Sequence, residues 1–226
     1  AGSCLYNTID NLTYNYAANT NKLTSITDAS ATASKPKGFN PGTGGTGYGY
    51  DLVGNLTSDT YKGITAITYN YLNLPSTIAW GTTKSIDFVY DASGNKLSKT
   101  VKTGATVNSI QDYVMGVEYN KLGTAARKIE AIYHAEGRYF NTSTTTTPAW
   151  RTEYSIKDHL GNSRISFTDK NLNGKIDVDN TVNNEILQES HYYAFGMTYD
   201  GPWQINDAAK DNYYLYNSKE LNIDHA

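Results

Sequence analysis

The stretch Phe88–Val101, FVYDASGNKLSKTV, reads as two strands with a chain reversal between them. In its Asp-x-x-Gly-Asn core the aspartate side chain can accept backbone N–H bonds from two or three residues ahead. The glycine supplies the positive φ that closes a tight connection, and asparagine tolerates the same region. The tyrosine before the aspartate ends a strand. There its ring covers a neighbouring strand while its hydroxyl stays near water or a polar partner. The pattern recurs as YDLVGN at Tyr50–Asn55 and KDHLGN at Lys157–Asn162. Each copy encodes the same strand, turn, strand unit, and turn chemistry accounts for these aspartates without any catalytic role.

Working outward, segments of period-2 alternation separated by turn residues recur along the chain: 12–17, 22–28, 66–72, 85–91, 96–102, 112–119, 128–134 and 163–169. Short, regularly spaced strands of this kind predict a meander of hairpins. Tyr50, Tyr71 and Tyr90 lie 21 and 19 residues apart, and Tyr113, Tyr133 and Tyr154 follow at 20 and 21 after a step of 23. Self-similarity at this period points to a stacked array. The fold class is therefore all-β: repeated antiparallel hairpins forming one continuous curved sheet. Helical signals are scarce, and the best of them, Asp207–Asp211, amounts to a turn or two. Residues 29–49 are rich in Gly, Pro, Ser and Thr and read as a long loop, and 141–148 (NTSTTTTP) as an exposed Thr-rich loop or edge strand.

Composition fits this picture. The chain has 226 residues, with 20 tyrosines against 5 phenylalanines, which favours strands over helices. A formal charge of -3 with 18% charged residues gives no electrostatic footprint for nucleic acid. No apolar run approaches the roughly 20 residues needed to cross a bilayer as a helix. Cys4 is the one cysteine, so no intrachain disulfide forms.

One segment carries metal-ligand spacing. In DKNLNGKIDVDN, Asp169–Asn180, oxygen side chains stand at positions 1, 3 and 5 (Asp169, Asn171, Asn173), glycine at 6, the Lys175 carbonyl at 7 and Asp177 at 9. This is a calcium-loop pattern. Position 12 is Asn180 in place of the usual bidentate glutamate, so Asp179 or Glu185 would have to substitute. With few anionic ligands the affinity expected is modest, suited to extracellular calcium.

Other chemistry is sparse. His134, His159, His191 and His225 lack zinc spacing, and no nucleophile elbow or phosphate loop is present. Asp112, Glu118, Glu130 and Glu136 are the carboxylates from which a glycosidase pair could be drawn. No catalytic constellation is assigned, and the expectation is a protein that is not an enzyme. Trp80, Trp150 and Trp203 fall beside turn signals and are candidate stacking residues for carbohydrate, the competing role being coverage of adjacent strands.

The Tyr-Asp repeats resemble the YD repeats of RHS proteins. EYSIKDHLGNSRISFTD (153–169), EILQESHYYAFGMTYDGPW (185–203) and NYYLYNSKELNID (212–224) resemble successive blocks of the RHS repeat-associated core of Bacteroidetes-type secreted proteins. The resemblance divides the chain into a YD-repeat hairpin array, 1–150, and a core-like β segment, 151–226. It implies an extracellular or cell-surface β-wall. In the family such repeats spiral into a hollow shell around a variable C-terminal segment, often a toxin, and related repeats occur in adhesive proteins. This sequence stops just after the Lys219-Glu220-Leu221 block, short of the family's self-cleaving Asp-Pro segment. The expectation is an open piece of wall that encloses, presents or self-assembles, partnered by copies of itself or by the remainder of a longer RHS polypeptide. A carbohydrate-binding adhesin and the shell fragment of a toxin or self-processing protein are the alternatives.

Overall fold

A computed structural model describes residues 8–31, 38–42, 44–145, 147–178, 184–193, 196–198 and 212–225. The turn signals at Asp207–Asp211, together with Cys4, Asp179, Asn180 and Trp203, lie outside these residues. Two two-stranded ribbons come first: β1 (Leu12–Tyr16) with β2 (Leu23–Asp28), and β3 (Tyr48–Tyr50) with β4 (Leu56–Asp59). A 3-10 turn, Thr60–Lys62, follows, capped by the Asp59 side chain. The remaining strands are β5 (Ala66–Tyr69), β6 (Pro75–Trp80), β7 (Lys84–Tyr90), β8 (Lys96–Thr103), β9 (Thr106–Val114), β10 (Val117–Leu122), β11 (Lys128–His134), β12 (Gly137–Asn141), β13 (Trp150–Lys157), β14 (Ser163–Phe167) and β15 (Ile186–Glu189). These 11 form a single antiparallel sheet in sequence order, open at both ends. The expected all-β hairpin array is what the chain builds.

Two compact units divide the chain, one reaching to Ser109 and taking in His225, the other spanning Ile110–Asp224. In the first, Ile67, Ile78, Ile86 and Val101 pair successively across β5 to β8. β-Branched side chains in register across strands pack well on a pleated surface, and Ile86 is fully buried. A second cluster forms around Tyr61, whose ring meets Phe39 and Tyr48 edge-on and whose hydroxyl donates to the Ile26 carbonyl at 2.9 Å.

The Asp-x-x-Gly-Asn copies share one corner. At Asp91, Oδ1 accepts the N–H groups of Ser93 (2.8 Å) and Asn95 (2.9 Å), while Oδ2 accepts the Asn95 side-chain amide at 2.8 Å. Asp51 and Asp158 repeat this set with Val53 and Asn55, and with Leu160 and Asn162. In each the glycine has positive φ: 97° at Gly54, 85° at Gly94 and 81° at Gly161. The backbone closes as a turn followed by a left-handed residue, a three-residue hairpin with a bulge.

Two expectations are corrected. The 66–72 segment ends as a strand at Tyr69, because Asn70 makes the same corner as the aspartates, accepting from Leu72 and Leu74, with Asn73 (φ 57°) in the glycine position. The 112–119 segment is two strands rather than one. Met115 (φ 48°) and Gly116 (φ 82°) supply the two positive φ angles of a tight hairpin turn between β9 and β10.

Candidate functional site

Among the described residues of the second unit the buried apolar side chains are Ala131, Phe140, Ile186, Leu187 and Leu215, and buried polar side chains outnumber them. Alternation puts Glu118, Ala131, Phe140 and Arg151 in one cross-strand row over β10 to β13, with Tyr133, Arg138 and Glu153 in the adjacent row on the same face. Arg138 and Glu153, 4% and 2% exposed in their side chains, join at 2.6 Å, and Arg151 binds the other carboxylate oxygen of Glu153 at 2.5 Å. Both guanidiniums lie over the Phe140 ring, at 4.5 and 5.6 Å from its centroid.

Of the carboxylates considered for glycosidase chemistry, Glu118 and Glu130 do come together. The Gln111 amide nitrogen donates to both, at 3.0 and 2.7 Å, and Asn120 donates to the Gln111 carbonyl oxygen at 2.8 Å. The Gln111 amide thus bridges the two carboxylates. Glu136 lies outside this bridge in the β11–β12 turn, and Asp112 is ion-paired with Arg127.

The C-terminal block docks on this face through reciprocal bonds. Tyr214 donates to Glu118 at 2.6 Å, and Tyr113 donates to both oxygens of Glu220, at 3.0 and 2.9 Å. Tyr133 stands edge-on to Tyr214, centroids 5.0 Å apart, and its hydroxyl lies 3.4 Å from Glu118. Burial pushes all three phenols above the ordinary tyrosine range, and the neighbouring carboxylates add to it. Sequence reading missed this cluster. Tyr113 and Tyr133 were visible only as repeat markers, and their partners lie up to 107 residues away.

The 169–177 loop turns as its spacing requires. Asp169 accepts from Gly174 (2.9 Å) and Asn173 (3.2 Å), Asn171 from Asn173 (3.0 Å), and Asn173 from Lys175 (2.8 Å). Asn171 also donates to Asp177 at 3.3 Å. Glu185, 1% exposed, accepts from the N–H groups of Lys170, Asn171 and Asp177 and so ties the ends of the loop together. Among the described residues 169–177 the candidate ligand atoms are the Asp169 and Asp177 carboxylates, the Asn171 and Asn173 amide oxygens and the Lys175 carbonyl. Among the described residues no group of three or more His, Cys, Asp or Glu side chains is placed to hold a metal.

The tryptophans separate. Trp80 is half-buried, donates to the Lys62 carbonyl at 2.9 Å and meets the His225 ring edge-on. Trp150, 44% exposed, opens β13 opposite Asn141.

No family model and no curated protein matches the sequence. Solved structures do match in shape: the crystal structure of TcdB2-TccC3-Cdc42 superposes with a TM-score of 0.56 at 16% identity, over 78% of this chain and 8% of the other. The fold is RHS-like. TcdB2-TccC3-TEV matches over 96% of this chain and 11% of its own (TM-score 0.53, 14% identity). TcdB2-TccC3 without its hypervariable C-terminal region matches over 92% and 11% (TM-score 0.52, 15% identity). At these identities the likeness is one of fold alone. The RHS-like sheet described here spans about a tenth of the chains it resembles.

Proposed function

We propose that this chain is a stretch of wall from a longer RHS-type polypeptide: a non-enzymatic, extracellular or cell-surface module that encloses or presents another segment. The observation that carries the reading is the open meander of β5 to β15, in which the connections at Asn70, Asp91 and Asp158 repeat one geometry. Such a sheet has neighbours in one dimension only, and a wall is extended by adding hairpins at its ends. The likeness in fold to a segment of TcdB2-TccC3 favours the shell reading, while an adhesin that binds carbohydrate through exposed Tyr and Trp, Trp150 and Tyr71 among them, is the alternative. In this reading Asp169, Asn171, Asn173, Lys175 and Asp177 hold calcium and stiffen the connection between β14 and β15. Mass spectrometry of the protein purified from the cell that makes it tests the proposal. Expected are peptides of this chain inside a much larger extracellular polypeptide; a cytoplasmic species of this size alone would refute it.

A further inference from the structure

Asn173-Gly174 is the chain's one Asn-Gly pair, and it stands exposed in the 169–177 loop. An asparagine followed by glycine is prone to lose its side-chain amide, because glycine has no Cβ to keep its nitrogen away from the asparagine Cγ. The loop arranges the atoms that such a reaction needs. Asn173 Oδ1 accepts the Lys175 N–H at 2.8 Å, which folds the side chain back over the peptide linking Asn173 to Gly174 and brings Cγ alongside the Gly174 nitrogen. That nitrogen donates to Asp169 Oδ2 at 2.9 Å, so a carboxylate faces the proton the nucleophile must lose. The Lys175 N–H faces the oxygen on which negative charge develops. Gly174 has φ 75°, and the place a Cβ would take has no neighbour within 4 Å, so nothing crowds the approach. The corner asparagines differ: Asn55, Asn95 and Asn162 donate their side-chain amides to the corner aspartates and are followed by Leu56, Lys96 and Ser163.

We propose that Asn173 is a self-modification site at which the folded loop promotes deamidation. The Gly174 nitrogen bonds to Asn173 Cγ, its proton passes to Asp169 Oδ2 and on to Nδ2, and the Cγ–Nδ2 bond breaks, releasing ammonia and leaving a succinimide. Water then opens the ring. Breaking the ring nitrogen's bond to Cγ gives aspartate, and breaking its bond to the main-chain carbon gives isoaspartate. Aspartate at position 173 adds a carboxylate to those of Asp169 and Asp177, whereas isoaspartate lengthens the backbone and undoes the turn to Lys175. The gain of a calcium ligand rests on the calcium reading above; the loss of the amide does not.

The test incubates the purified whole chain in heavy-oxygen water at neutral pH and locates the incorporated label by peptide mass spectrometry, alongside a synthetic peptide covering 170–176 and the Asp169→Asn variant. Expected is label at residue 173 alone among the asparagines, appearing faster in the folded chain than in the peptide and slowed roughly tenfold or more by Asp169→Asn. Should Asp169→Asn fail to fold, the comparison of chain with peptide decides. No label at 173, label spread over other asparagines, a folded chain no faster than the peptide, or a folded Asp169→Asn variant as fast as the unaltered chain would each overturn the proposal. The incubations contain no calcium, so a loop that binds no metal leaves the labelling result intact.

Discussion

The Asn55 side-chain amide donates to Asn73 Oδ1 at 3.2 Å, while the same nitrogen donates to Asp51 at 2.9 Å. One side chain thus closes its own corner and touches the next, 18 residues further along the chain. The contact recurs later: Asn162 Oδ1 accepts the Asn217 N–H at 2.7 Å, and Ser218 donates to the Gly161 carbonyl at 2.9 Å. At Asn55 a repeat in sequence becomes a neighbour in space, one corner hydrogen-bonded to the next.

Gly94 sits at φ 85°, and a Cβ there would approach Leu74 Cδ1 of the preceding corner to 3.2 Å. Gly94→Ala is expected to destabilise the fold by roughly 1–2 kcal/mol, since an L side chain is strained in this region. Asn73→Gly relieves the same geometry at φ 57° but removes the acceptor of the Asn55 amide, so it should cost less than Gly94→Ala. Urea unfolding of both variants measures the two effects. A neutral Gly94→Ala would remove the requirement for a left-handed residue.

The corner aspartates should give the fold an acid sensitivity. Hydrogen bonds from Asn95 and Asn162, side chain first, hold Asp91 and Asp158 below the usual carboxylate range. At Asp51 desolvation is the largest single influence and acts upward, but the hydrogen bonds from Asn55, Gly54 and Val53 together outweigh it and hold the carboxyl below its ordinary range. A folded-state pKa below the unfolded one contributes stability above about pH 4, lost as pH falls through the folded value. Replacing all three by asparagine should flatten the fall in stability below pH 4 relative to the unaltered chain. Parallel acid-unfolding curves would contradict this.

Glu153 compensates two guanidiniums while almost fully buried. Glu153→Gln leaves Arg138 without its carboxylate in the same low-dielectric space, at an expected cost of about 3–5 kcal/mol. Arg151→Lys keeps a charge at the more exposed position and should cost much less. Thermal unfolding of the two variants gives the comparison, and equal losses would count against a buried triad centred on Glu153.

Calcium should raise the unfolding midpoint if the 169–177 loop binds it. Added at about 100 times its dissociation constant it would contribute about 2.7 kcal/mol. Asp169→Ala should abolish the response. An unchanged midpoint in millimolar calcium, for both proteins, removes the metal from the account.

The corners were legible because three of them spell the same residues, and the strands because polar and apolar positions alternate. The Asn70–Leu74 corner was hidden, since asparagine replaces both the aspartate and the glycine while making the same backbone bonds. The Met115-Gly116 reversal was hidden because a two-residue turn inside an alternating run barely disturbs the pattern. Least legible was the site itself. Tyr214 reaches Glu118 across 96 residues, and no local period encodes that pairing.

Electron cryomicroscopy of the polypeptide purified from its own cells addresses the wall most directly. Expected is density in which β5 to β15 continue, hairpin by hairpin, into further strands of a larger β-shell, with the corners at Asp91 and Asp158 in rows that extend beyond this chain. A free-standing domain whose outer strands pair with nothing further would contradict the central claim.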